Sequence, residues 1–459
     1  MQSWPAPESA RHQVGGQGRF ATYRCPQRSI DMKYHVGTLE WSGRTRPART
    51  PSDALAIGAN IAIRAVLVVV VLFSLWTHPI MDFDVRRFSA LSVEAGTPYR
   101  DHAVEYAPVE LGVIRLIGSG DARATATRLV VVCFLLDLLA FAGMWRGWGR
   151  RIAIAYLWLG VPLLVLGYLR LWYLPVALAV WSFALVRKGR PNVAGVVAAL
   201  AVFAKLWPLA LAPAFFAETR RRSLAFVLAS VVGGIGWLLL GGIDGVRQVL
   251  SFRSATGWEV ESTVGALVWV FGGGEPGWER GAVRVGSSQG LTWVPAVVLV
   301  VLLAAVWWKA LRSREEDLVG VPSLVALCAV LACSPVFSLQ YAGWLTPWAA
   351  IAGRDPRRVP IASAWAIVVL TAGVSIALFQ YADSLEGLGA AMLLARNGLC
   401  LFLPVWFLAR GRPAVAANTA GRRDSPEAPP RKGSARRVVQ ARGAPSVPTR
   451  RRNQSRSGS

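Results

Sequence analysis

TWVPAVVLVVLLAAVWWKAL, residues 292–311, runs for twenty positions with one charge, and stretches like it recur along the whole chain. Segments of this length and apolarity match the hydrocarbon thickness of a bilayer. Lipid offers backbone amides no partners, so such runs are helices unless they close into a barrel, and the two-residue alternation of barrel strands is absent. A hydrophobic fraction of 54% and a mean hydropathy of +0.42 exclude a chain of soluble domains. The fold class is therefore all-α: a polytopic membrane protein.

Apolar runs read against their flanks give spans near 55–76, 126–145, 152–169, 171–186, 223–241, 292–311, 319–333, 337–353, 359–380 and 388–409. NVAGVVAALAVFAKLWPLALAPAFFA lies between the fourth and fifth, with Arg187, Lys188 and Arg190 before it and Arg220, Arg221 and Arg222 after it. Short basic loops stay cytoplasmic. The segment is therefore read as a hairpin of two short helices, bent at Lys205 and Pro208, where proline breaks the ladder and a lysine needs protein, water or an anion. About twelve transmembrane or half-membrane helices result, with both termini cytoplasmic.

Residues 1–53 form a polar, disordered N-terminal segment, 54–409 the membrane domain, and 410–459 a basic, disordered cytoplasmic tail. The first apolar run is expected to act as an uncleaved anchor. The net charge of +24 is concentrated in that tail, which holds thirteen Lys or Arg against two acids. A Pro, Ser and Arg-rich segment beside a membrane suits anionic headgroups better than nucleic acid. The five cysteines lack metal-site spacing, and all but Cys25 lie in apolar runs as small core residues.

This topology gathers the patterned polar loops on the outer face. The first reads MDFDVRRFSALSVEAGTPYRDHAVEYAPVELGVIRL. Phe83, Phe88, Leu91 and Ala95 recur at helical spacing, which predicts an amphipathic helix on the membrane surface, ended by Gly96 and Pro98. Asp82 at its start either caps free amides or does chemistry.

Taken in order, Asp82-Phe-Asp-Val85, Gly96-Thr-Pro-Tyr-Arg-Asp101, Glu105-Tyr-Ala-Pro108, Lys205-Leu-Trp-Pro208, Glu261-Ser262, Ser338-Leu-Gln-Tyr341 and Arg396-Asn397 resemble the bacterial membrane mannosyltransferases of glycosyltransferase family 87. The resemblance spans roughly residues 54–409. It implies a GT-C-like fold and a polyprenyl-phosphate-mannose donor. The chain departs from the family pattern at Arg86, Ala107, Trp172 and Leu339, positions that bear on donor and acceptor identity.

The resemblance makes Asp82 the general base, with Asp84 as second choice. A carboxylate that accepts the proton of an attacking sugar hydroxyl contributes about 10² to 10⁴ in rate. The departing polyprenyl phosphate needs cations, for which Lys205, Arg170 and Arg86 are the candidates. Lys205 could instead snorkel, and Arg170 fits an aromatic belt. Glu105 and Tyr106 join the substrate site, Glu261 orients the acceptor or caps a helix, and His102, Gln340 and Tyr341 complete the set.

The expected activity is inverting transfer of a sugar, mannose on the resemblance, to a lipid-linked or cell-envelope glycan on the outer face of the bacterial plasma membrane. Partners are the donor, the acceptor and membrane lipids, with no nucleic acid. No metal ligand cluster or nucleotide loop is evident, so no cofactor is expected. The alternative is a transporter or flippase of lipid-linked sugars. Such proteins tend to carry repeats and midplane charges, whereas this chain has no evident repeat and midspan charges only at Arg64, Asp137 and Arg396.

Overall fold

The structure, a computed structural model, describes residues 51–77, 83–250, 256–279, 281–287, 291, 293–313, 315, 317–379 and 382–410. Backbone contacts divide the chain into Met1–Leu55, whose described part is the first five residues of helix α1 (Pro51–Thr77), and Ala56–Ser459, which holds the rest of α1 and every other element.

The described chain is helical apart from one small sheet. Helices α1 (Pro51–Thr77), α4 (Ala122–Trp148), α10 (Arg220–Leu250), α12 (Trp293–Arg312), α15 (Val359–Phe379) and α16 (Ala382–Ala409) are long and apolar enough to cross a bilayer. Val231, Val232, Ile235 and Leu239 of α10 point outward, as lipid-facing side chains do. Between these lie shorter helices: α2 (Phe83–Val93), α3 (Pro108–Ile117), α5 (Arg150–Gly160), α6 (Leu164–Gly167), α7 (Tyr173–Arg187), α8 (Pro191–Ala204), α9 (Ala212–Glu218), α11 (Thr263–Gly272), α13 (Val321–Cys333) and α14 (Thr346–Ala352).

The expected hairpin is present. Helix α8 stops at Lys205, whose extended backbone (φ −159°, ψ 141°) breaks the ladder, and a 3-10 turn, Trp207–Leu211, leads into α9. The spans expected at 152–169 and 337–353 are discontinuous. The first is α5 followed by the turn Val161–Leu163 and α6, and the second is the turn Leu339–Leu345 followed by α14. Irregular backbone at this depth is stable only when enclosed by protein, and Leu163, Leu164, Leu345 and all of α14 are buried.

The midspan charges Arg64 and Asp137 join α1 to α4. Arg64 Nε lies 2.8 Å from Asp137 Oδ2 and Nη2 donates to the Leu157 carbonyl at 3.0 Å. The Tyr156 and Tyr168 hydroxyls donate to Asp137 at 2.6 and 3.1 Å. Both charges are thus paired and hydrogen-bonded, the condition under which burial is tolerable.

Helix α2 does form, but Val85, Phe88 and Leu91 make its buried face, while Ala95 is exposed and lies beyond its end. It packs on α3 and α4. The following turn is built around Gly96 (φ 94°), with Asp101 accepting from the Thr97 amide at 2.6 Å. Tyr99, itself at φ 67°, is buried; its hydroxyl donates to the Tyr106 carbonyl at 2.6 Å and its ring seats on Gly241 and Gly245 of α10. The 96–101 motif therefore fastens the first loop to α10.

The sheet was not expected. Strands β1 (Trp258–Glu259), β2 (Gly277–Glu279) and β3 (Ala282–Val285) pair antiparallel in the order β1-β3-β2, with Glu259 opposite Arg284. Glu279 closes it by accepting from the Thr256 and Gly257 amides at 2.8 and 3.0 Å, and the Thr256 amide above all holds this carboxyl below its usual range. Cys133, Cys328, Cys333 and Cys400 are free and buried; Cys25 lies outside the described residues.

Candidate active site

Polar side chains from several separated stretches of the chain meet in one cluster. Asp84, in the first turn of α2, is 3.1 Å from Arg170 Nε and accepts from the Tyr106 hydroxyl at 3.4 Å. Arg170 belongs to the tight turn between α6 and α7. Lys205, at the hairpin break, reaches the Glu110 carboxylate of α3 at 3.4 Å, and its Nζ sits 5.6 Å from the centre of the Tyr341 ring. Tyr341 stacks on Trp344 and Trp344 on Trp207, at 4.2 and 5.2 Å.

Glu110 links these pairs. Burial pushes its carboxyl up, Lys205 opposes the shift, and the charges of Asp84 and Glu105 add to it. Asp84 and Lys205 therefore act on one common neighbour, at one end of the protein. Asp82 lies outside the described residues.

A second group adjoins the first. Glu259 accepts from the Ser338 hydroxyl at 2.6 Å. Arg396 of α16, fully buried, donates to the Glu261 carbonyl, which also accepts from Asn397 at 3.3 Å. The guanidinium lies 3.9 Å from the centre of the Phe337 ring. Burial, then the charge of Glu259, pushes the Glu261 carboxyl up to about 8, with Arg396 and Arg170 opposing. Arg170 thus reaches both groups, and the Tyr341 hydroxyl is within electrostatic reach of Lys205, Glu259, Asp84 and Glu110.

Of the expected residues, Asp84, Arg170, Lys205, Tyr106, Tyr341 and Glu261 come together. Glu261 caps no helix, because Ser262 does so by accepting from the Gly265 amide at 3.0 Å. Glu105 pairs with Arg87 at 3.3 Å, while Arg86 is exposed on α2. Neither ring nitrogen of His102 has a hydrogen-bond partner among the described residues, and Gln340 is half-buried beside Tyr341. Trp172 is buried on Tyr173, in space left by Gly167 and Gly343: a Cβ on Gly343 would stand 2.4 Å from its ring.

Glu110, Glu259 and the site role of Arg396 escaped the sequence reading. Glu110 sits in PVELG, an ordinary helix start, and only its spatial partner Lys205 marks it. Glu259 lies two residues before Glu261 in GWEVES, and that proximity was the available signal.

The fold and this cluster define a polytopic helical membrane protein with paired carboxylates and cations gathered at one end of its bundle. Residues 122–335, somewhat under half of the chain, match the model of glycosyltransferase family 87, the family that the motifs resemble. The matched stretch contains Arg170, Lys205, Glu259 and Glu261. Among solved structures the chain is similar to the Archaeoglobus fulgidus oligosaccharyltransferase, crystallised with a tethered acceptor peptide, at 13% identity and a TM-score of 0.31. The similarity covers 80% of this chain and 57% of that one. No curated protein matches.

Proposed function

We propose that the protein transfers a hexose, mannose on the motif resemblance, from a polyprenyl phosphate to a hydroxyl of a lipid-linked or envelope glycan. The reaction runs with inversion on the outer face of the bacterial plasma membrane, within a GT-C-type architecture. The acceptor oxygen attacks C1 while a carboxylate takes its proton. The bond from C1 to the phosphate oxygen breaks, and polyprenyl phosphate leaves toward Lys205 and Arg170. The observation carrying this reading is the meeting of Lys205 and Arg170 with Asp84 and Glu110 where the hairpin breaks.

Asp84 is already engaged by Arg170 and Tyr106, and a carboxylate held by a cation is a weaker proton acceptor. This favours Asp82 as base and Asp84 as the residue that positions Arg170. The test is transfer of labelled mannose from polyprenyl-phosphate mannose in membranes containing the protein. Asp82→Asn is expected to lose at least about 10²-fold. Retained transfer in that variant removes Asp82 from the chemistry.

A further inference from the structure

Three buried polar atoms beside the Lys205 cluster have no hydrogen-bond partner among the described residues. They are Oε2 of Glu259, which is 4% exposed, Oε2 of Glu261 and Nη1 of the fully buried Arg396. Buried polar atoms are nearly always partnered, and an orphaned carboxylate oxygen is among the costliest exceptions. Glu259 is fixed by strand pairing with β3 and by the Ser338 hydroxyl, and the Val260 amide donates to Val283 at 2.9 Å. Gly265 allows the chain to fold beneath Glu259: a Cβ there would lie 1.9 Å from the Glu259 carbonyl oxygen.

Two orphaned carboxyl oxygens call for hydrogen-bonding partners. A cation is a poor fit, since Arg396, Arg284 and Arg170 already act on this pair of carboxylates. Among the described residues no group of three His, Cys, Asp or Glu could hold a metal. A neutral molecule with several adjacent hydroxyls satisfies both oxygens without adding charge.

We propose that Glu259 and Glu261, oriented by Ser338 and Arg396, form a subsite that binds ring hydroxyls of a sugar. This deepens the glycosyltransferase reading and rests on it for the sugar's carrier. The hydroxyls belong to the donor hexose or to the terminal sugar of the acceptor, and the chemistry of recognition is the same for both.

The test uses the purified full-length protein in nanodiscs, with octyl α-mannoside as probe, octane-1,2-diol as the chain control and the monodeoxy octyl mannosides as the series. Binding is read by tryptophan fluorescence and thermal shift. The glycoside is expected to bind in preference to the diol. At least one monodeoxy compound, and the variants Glu259→Gln and Glu261→Gln, are expected to bind about ten-fold more weakly or worse.

Equal binding across the deoxy series, or equal binding of glycoside and diol, overturns the proposal. The series needs no variant, so it decides even where a substitution fails to fold. In transfer assays, a rise in KM confined to the donor or to the acceptor in Glu259→Gln assigns the hydroxyls to that substrate; no rise for either counts against the subsite. Absence of transfer from polyprenyl-phosphate mannose, with glycoside binding intact, would sink the donor assignment and leave this subsite standing.

Discussion

Burial, and the charge of Glu259 beside it, push the Glu261 carboxyl above its ordinary range, and this has a measurable sign. Its folded pKa of about 8 stands above the ordinary 4.5, so the folded protein holds the proton more tightly than the open chain does. The resulting stabilisation is complete below about 4.5 and is lost as the pH rises through about 8. The melting temperature is expected to fall across that window, and Glu261→Gln to reduce the slope. An identical pH profile in the variant would show that another group is responsible. Asp84, Arg170 and Lys205 stood out in the sequence because charges beside apolar runs are conspicuous. Glu110 and Glu259 did not, because only tertiary contacts set their neighbours apart.

Helices α1 and α4 owe their pairing to Arg64 and Asp137, whose charges compensate each other in a buried setting. Asp137→Asn leaves the guanidinium unmatched and is expected to cost about 3–5 kcal/mol. The double variant Arg64→Met/Asp137→Leu removes both charges and is expected to recover most of that loss. Thermal unfolding of the three forms checks this, and a double variant no better than the single one would refute it. At the start of α11, Gly265→Ala pushes a methyl into the Glu259 carbonyl, so transfer is expected to fall while the long helices keep their circular dichroism. Unchanged transfer would show that the Glu259 turn can shift without consequence.

The long helices and the hairpin break were legible from hydropathy, basic flanks and proline. The three-stranded sheet was not, since its strands span only two to four residues, too short for alternation to register. Helix α2 was legible as an element, but the helices its apolar face covers were not, because an amphipathic pattern records a buried face without saying what covers it.

At the scale of the molecule, ionic contacts also collect at the opposite end. Arg410 pairs with Glu315 at 2.6 Å and Asp355 at 3.2 Å, and Lys309 donates to the Leu408 and Arg410 carbonyls at 2.7 and 2.6 Å. These bonds tie the end of α16 to α12 and to the connection after α14. Helix α8 has a different consequence. Val193, Val196 and Leu200 lie exposed along it, yet its fourteen residues rise only about 21 Å before Lys205, short of the roughly 30 Å of a bilayer's hydrocarbon. Lipid along this flank is expected to thin to match it. Transfer measured in nanodiscs of short-, medium- and long-chain phospholipids is expected to decline as the acyl chains lengthen, and a flat response would argue against the mismatch. Where a leaflet dips in this way, a lipid headgroup beside α8 sinks below its neighbours.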